Sequence, residues 1–275
     1  MKVPFQEDAY KDIIEVGQKA ASFIRQHFQK KDFEEETKAH DNSLVSYVDR
    51  QAEQIITRGL AELYPDYGFI TEENTIRQDD QRDYYWIIDP LDGTTNFLHG
   101  LEIFSVSIAL SNRSGTLLWG LVIDVMNEDV YHAAKGQGAW KNDQRLIQGD
   151  SSLKMSLLST GFPYYRFDKK TIYLTHLEGF MASCRGLRRC GSAALDLCHV
   201  AAGIYGGFFE YDLHLWDIAA GALIIRESGG VVTDFEQDHE NWKLAGHVVA
   251  GNPRCHQEMF DQVIKRNPTQ PKRTS

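Results

Sequence analysis

The 275-residue chain lacks the marks of an exported or membrane-spanning protein. No window approaches 18 consecutive apolar residues, the least a membrane-crossing helix needs. The opening Met-Lys-Val-Pro-Phe-Gln-Glu-Asp has no unbroken apolar core of the secretory kind. A cytoplasmic protein is therefore expected. Cysteine is scarce: Cys184, Cys190, Cys198 and Cys255 form no C-x-x-C pair. That speaks against a zinc site and, without an export signal, against a disulfide framework. Histidine is scattered, and His99, His132 and His214 show no H-x-x-x-H spacing for a transition metal. Positive charge is short as well, with 29 Lys and Arg against 39 Asp and Glu, a net charge of −10. Membrane association and direct nucleic-acid binding are not expected of such a surface. Internal repeats and low-complexity linkers are absent.

What is present is an ordinary globular composition, 42% hydrophobic and 25% charged. The length suffices for one large domain or two tightly joined halves. Helical spacing predicts amphipathic helices over 5–30 and 46–63, with a loop or short strand pair over 31–43. A strand over Tyr67–Thr71 leads into Glu72-Glu73-Asn74. From Phe104 the period becomes two, and strands are expected over Phe104–Leu110, Thr116–Val125, Val130–Ala134 and Ala139–Leu146. Their turn-like joins imply antiparallel neighbours. Past Gln148, strands and helices alternate up to a helix over Pro253–Ile264, as in an α/β unit. The chain thus divides near 147–156 into an α+β half, 1–150, and an α/β half, 151–265. A polar tail, 266–275, is expected to be disordered.

The most informative stretch is Trp86–Phe97. An apolar run ends in Asp89 and Asp92, with Pro90 between them. Pro90 lacks a backbone donor and should end the strand. Two acids at the end of a buried strand are costly without a cation between them, and the Gly-Thr-Thr-Asn that follows suits an anion-holding helix start. Glu72 and Asp217 are candidate partners, because hard divalent cations take oxygen ligands. Gly136-Gln137-Gly138 reads as a hairpin turn, Arg188-Arg189 as a basic pair that could bind a phosphate or a partner but is usually solvated at a strand end, and Phe162-Pro163-Tyr164-Tyr165 as a loop near the cleft or a subunit contact.

Trp86–Phe97 (WIIDPLDGTTNF) and Leu215–Gly230 (LWDIAAGALIIRESGG) resemble the two signatures of the inositol monophosphatase family. Leu44–Asp49, Phe69–Asn74, Gly191–Leu197 and Gly207–Glu210 are similar to further family segments. The resemblance covers about residues 8–265 in consistent order. It implies a homodimeric, Li⁺-sensitive, Mg²⁺-dependent phosphomonoesterase with an α-β-α-β-α layered fold and two to three Mg²⁺ ions per subunit. It further implies one metal on Glu72, Asp89 and the Leu91 carbonyl, a second on Asp89, Asp92 and Asp217, and a weaker third on Glu72. Glu72 and Thr94 would orient the attacking water, with Thr94 paired to Asp49. The backbone of Gly93, Thr94 and Thr95 would hold the phosphate. Glu210, the Ala193 backbone, Asp92 and Asp217 would face a small polyol. Lys38 resembles a family lysine near the metals. The chain departs from many bacterial members at Ile204 and Gly206, where Arg and Asp are usual, and at Leu215, where proline is common.

The implied substrate is a myo-inositol monophosphate. The same metal site serves phosphatases of fructose 1,6-bisphosphate, 3′-phosphoadenosine 5′-phosphate and histidinol phosphate, which the signatures do not separate. A different class is a regulatory protein that uses the fold to contact transcription or ribosome-assembly machinery.

Overall fold

Apolar residues recur every three to four positions along the first helix, so that Ile13, Val16, Ala20 and Ile24 form one buried stripe. In the computed structural model this is α1 (Ala9–Lys30). The structure describes residues 9–30, 35–37, 44–77, 81–164, 169–239 and 246–266. Lys38, Tyr165 and the tail beyond Arg266 lie outside them. A short antiparallel pair, β1 (Glu35–Thr37) and β2 (Leu44–Ser46), leads into α2 (Tyr47–Leu63), which packs along α1.

Seven strands follow as one sheet in chain order: β3 (Gly68–Thr71), β4 (Tyr84–Asp92), β5 (Ser105–Asn112), β6 (Leu117–Asp124), β7 (Val130–Ala134), β8 (Gly138–Lys141) and β9 (Gln144–Leu146). Only β3 and β4 run parallel; every later neighbour is antiparallel. A short helix, α3 (Thr94–His99), sits between β4 and β5. The single strand expected over Ala139–Leu146 is two. Asn142 adopts a left-handed φ of 52° and, with Asp143, turns the chain back on itself.

The second sheet has the order β11-β10-β12-β14-β13. Its strands are β10 (Leu157–Thr160), β11 (Gly186–Arg188), β12 (Gly207–Glu210), β13 (Val231–Thr233) and β14 (Val248–Gly251). β10 pairs in parallel with β11 and β12, because helices make those crossovers, whereas β14 lies antiparallel to β12 and β13. The helices are α4 (Lys170–Ser183), α5 (Ala193–Ala201), α6 (Leu215–Glu227) and α7 (Pro253–Met259). The helix expected over Pro253–Ile264 changes to wider π-type winding at Phe260–Ile264.

Five layers result: α1 and α2, the seven-stranded sheet, α5 and α6, the five-stranded sheet, then α4 and α7. α5 and α6 are apolar on nearly every face because sheets cover them on both sides. Their core includes Leu197, Ile218 and Ile224 together with Val122 of the first sheet and Phe208 and Val248 of the second. Gly120 on β6 lets α6 approach closely, since a Cβ there would lie 3.0 Å from the Ala220 carbonyl oxygen. The four cysteines are free thiols, with Cys198 and Cys255 buried. Gly136 and Gly138 form the β7–β8 hairpin turn, and their N–H groups donate to the Glu227 carboxylate at 2.8 and 3.0 Å. Among the described residues no helix is long and apolar enough to cross a membrane.

Candidate active site

Pro90 does not end its strand. β4 continues through it to Asp92, and the irregularity Pro90 causes is a bulge in the pairing with β5. Asp89 lies opposite Ser107 and Asp92 opposite Ser105, so three steps on β4 match two on β5. In a regular strand, residues three apart point to opposite faces. One extra residue in the bulge restores them to the same face, and both aspartates line one cleft. A bulge is also where a missing backbone donor is tolerated.

That cleft encloses about 150 Å³ and lies between the two sheets' ends. Glu72 reaches it from the end of β3, its N–H donating to the Ile88 carbonyl at 3.3 Å. Asp217 reaches it from the first turn of α6, where its carboxylate accepts the His214 N–H at 2.7 Å. Leu91, Gly93 and Thr94 line the same wall, and Ala193 and Glu210 the opposite one. Thr94 Oγ1 is 3.2 Å from Oδ1 of the buried Asp49, on α2, and 3.0 Å from the Leu91 carbonyl oxygen, so its one proton has two acceptors. Gly93, at φ 102°, turns the chain into α3 where any Cβ would crowd the Ile103 carbonyl at 2.9 Å. Thr95 has an exposed side chain and is not among the residues lining the cleft.

The electrostatics of Glu72, Asp89, Asp92 and Asp217 are dominated by burial and by one another. Burial, then the charges of Asp217, Asp49 and Glu73, hold the Glu72 carboxyl well above the usual carboxylate range. Burial and the neighbouring Glu72, Asp92 and Asp217 do the same to Asp89. Burial and Asp92 push Asp217 up to about 7. Asp92 is also raised by burial, opposed by hydrogen bonds from Ser192 Oγ at 2.6 Å and the Ala194 N–H at 2.7 Å. Glu72 and Asp217 keep some accessible surface toward the cleft, yet protein surrounds their carboxyls closely enough for burial to dominate. Among the described residues no three His, Cys, Asp or Glu side chains form a finished metal cage. The donor set fits a hard divalent cation all the same: oxygen only, strongly acidic, and mutually repelling without one.

Several cleft residues were not singled out from the sequence. Ser192, whose Gly-Ser reads as a capped helix start, does cap α5, and its bond to Asp92 is what the sequence did not show. Asp196, on the same helix, is buried in the cleft wall, and one of its carboxylate oxygens has no hydrogen-bond partner. Its signal was a lone acid inside Ala193-Ala194-Leu195-Asp196-Leu197-Cys198. Gly161 leaves the space that the Glu210 carboxylate fills. Glu53 is fully buried behind the Glu72 loop and accepts hydrogen bonds from the Glu73 N–H, the Thr75 N–H and Thr75 Oγ1 at 2.7–2.8 Å. Arg189, for which binding a phosphate or a partner stood beside simple solvation, is exposed and lines the cleft.

The inositol monophosphatase family model matches residues 6–268. The chain belongs to that family. It is 39% identical over 251 residues to Nus factor SuhB of Pasteurella multocida, covering 91% of this chain and 93% of that one. The extragenic suppressor protein SuhB of Bartonella henselae superposes with a TM-score of 0.89 at 34% identity, over 95% of this chain and all of that one. The staphylococcal SaIMPase-II with inositol monophosphate bound superposes with a TM-score of 0.76 at 29% identity, over 94% of each chain. The layered inositol monophosphatase fold is thus common to all three, and a phosphatase is the activity the family supports.

Proposed function

We propose that this chain is a Mg²⁺-dependent phosphomonoesterase that hydrolyses myo-inositol monophosphate, or a similar small polyol phosphate, to the alcohol and phosphate. The observation that carries the reading is that Glu72, Asp89, Asp92 and Asp217, from separate elements, share one cleft with the Thr94–Asp49 pair. Glu72, Asp89 and the Leu91 carbonyl would hold one ion, Asp89, Asp92 and Asp217 a second, and Glu72 a weaker third. When bound, Mg²⁺ neutralises the phosphate charge and lowers the pKa of water.

The chain's own residues orient the reaction. With its proton directed to Asp49, the Thr94 oxygen is an acceptor for a proton of the attacking water, and Glu72 is a second acceptor. The N–H groups of Gly93 and Thr94, which line the cleft at the start of α3, would be the donors for phosphate oxygens. The water oxygen bonds to phosphorus as its proton passes to Glu72, the ester P–O bond breaks, and the leaving alkoxide oxygen takes up a proton from solvent. Glu210 and the Ala193 backbone, with Asp92 and Asp217, face the polyol hydroxyls. Positioning and electrostatics then supply most of the rate, as in phosphoryl transfer generally.

The purified protein should release phosphate from inositol 1-phosphate only with Mg²⁺, be inhibited by Li⁺, and lose activity on Asp89→Asn. Turnover that survives chelation would sink the metal mechanism. A panel with fructose 1,6-bisphosphate, 3′-phosphoadenosine 5′-phosphate and histidinol phosphate ranks the alternatives. Light scattering tests the homodimer.

A second reading is favoured by the name of the Pasteurella relative, a Nus factor. On that reading the fold also serves a protein partner in the transcription or ribosome-assembly machinery. An Asp92→Asn variant that fully restores a deletion phenotype would favour this role over catalysis.

A further inference from the structure

The cleft wall carries six acids, Glu72, Asp89, Asp92, Asp196, Glu210 and Asp217, and a single cation, Arg189, among the described residues. Four of these acids, Glu72, Asp89, Asp92 and Asp217, are assigned to metal above. Asp196, Glu210 and Arg189 are left over, on the side assigned to the alcohol. Arg189 influences both of those acids, opposing the rise that burial imposes on their carboxyls. It nevertheless makes no ion pair with either, and Asp196 Oδ1 stays without a partner. The guanidinium is held elsewhere: it lies over the Phe162 ring at 5.7 Å and the Tyr164 ring at 5.6 Å from the centroids. These two rings meet edge to face and are themselves exposed.

A second constraint comes from Gly191. A Cβ there would lie 2.6 Å from Arg189 Nη1, so the guanidinium occupies the space a side chain would take. The loop beneath is tied to the aspartate-bearing segment, because Asn96 Nδ2 donates to the carbonyls of Cys190 at 2.8 Å and Ile103 at 2.7 Å. The backbone next to Arg189 is thus tied to the segment that follows Asp89 and Asp92, and the guanidinium rests against the corner made by the two rings. No described residue accepts a hydrogen bond from its guanidinium edge. Guanidinium donors lie in the plane and match the paired oxygens of phosphate or carboxylate.

We propose that Arg189 is a specificity-determining residue that reads a second anionic group, phosphate or carboxylate, on the alcohol portion of the substrate. This rests on the phosphomonoesterase reading above. Among small polyol phosphates, those whose alcohol bears an acid are then favoured over neutral ones such as myo-inositol monophosphate. Glu210 and Asp196 meet hydroxyls, and Arg189 meets the anionic end.

The test compares matched pairs with Mg²⁺ present: fructose 1-phosphate against fructose 1,6-bisphosphate, and glucitol 6-phosphate against gluconate 6-phosphate. The wild type should prefer the acidic member of at least one pair, chiefly through KM, and the pair that responds separates phosphate from carboxylate. The acidic-to-neutral ratio of kcat/KM should fall by about tenfold to a hundredfold in R189A, the size of a charge-assisted hydrogen-bond loss. R189K should be intermediate, and Phe162→Ala should lower the ratio in the same direction by less. A readout without turnover is calorimetric titration of fructose 6-phosphate, the alcohol that hydrolysis of the bisphosphate leaves. Its binding should weaken in R189A, while fructose should not distinguish the two proteins. Equal losses for both members of each pair, or fructose 6-phosphate binding that ignores R189A, would overturn the proposal. Arg189-dependent binding with no phosphate release from any ester would retain the subsite and sink the phosphatase reading alone.

Discussion

A single buried carboxylate shows how the site is built from behind. Glu53 lies on the stripe of α2 that also carries Asp49 and Ile56, and its carboxylate takes the backbone of the loop holding Glu72. Glu53→Ala leaves two backbone N–H groups without their acceptor. It should cost about 3 kcal/mol in urea unfolding and reduce phosphate release by loosening Glu72. An unchanged urea midpoint would show that the loop stands without it. His256 offers a pH test remote from the cleft. It is buried against Thr233, 2.9 Å from Nε2 to Oγ1, and burial, with His239 nearby, pushes it down to about 4 from 6.5. The unfolded chain binds this proton as pH falls through about 6.5, whereas the folded chain resists until about 4. The stability His256 contributes is therefore present above about pH 6.5 and is lost toward pH 4, by up to about 3 kcal/mol. Urea midpoints at pH 7, 5.5 and 4.5 should fall less steeply in His256→Asn than in the wild type.

At the scale of elements, the site depends on how closely α6 lies on the first sheet. α6 presents Asp217 from its first turn, and its body rests on β6 at Gly120. Gly120→Ala places a methyl group against the Ala220 backbone, which cannot move aside as a side chain can. About 1–3 kcal/mol of destabilisation is expected, with a loss of activity as Asp217 is displaced. Circular dichroism in urea and a phosphate-release assay check the two parts. A variant with wild-type values for both would mean the helix has slack. The bulge in β4 is the second element on which the site turns. Its composition was readable as Asp-Pro-Leu-Asp, but its effect was not. Proline in a strand suggests an end, and only the register against β5 shows that the strand continues with both acids on one face.

For the whole molecule, the expected consequence is linkage between ion binding and stability. An ion held only by the folded chain raises the unfolding midpoint with its concentration, by about 2.7 kcal/mol at a hundred times its dissociation constant. Added Mg²⁺ should raise the wild-type thermal midpoint and leave Asp89→Asn nearly unmoved. Without Mg²⁺, Asp89→Asn should be the more stable of the two, since it removes one member of a repelling cluster. Calorimetry with and without chelator decides both. Equal Mg²⁺ stabilisation of the two proteins would contradict the assignment of Asp89 as a shared ligand.

The sequence by itself determined the periodic elements, the family, and the acids most worth attention, because these depend on short-range patterns. The helical stripe of α1, the strands after Phe104 apart from the break at Asn142-Asp143, and the Trp86–Phe97 and Leu215–Gly230 segments needed no long-range information. Tertiary structure alone decided which residues share the cleft. Glu72, Asp89 and Asp217 come from three elements up to 145 positions apart in the numbering, and what unites them is the docking of α6 against the first sheet. The same holds for Ser192 on Asp92, Glu53 behind Glu72, and Arg189 against two rings at the mouth. Hydrogen bonds and ring contacts between segments about 20 to 100 residues apart leave no periodic trace in a chain, since each partner looks locally like an ordinary polar residue.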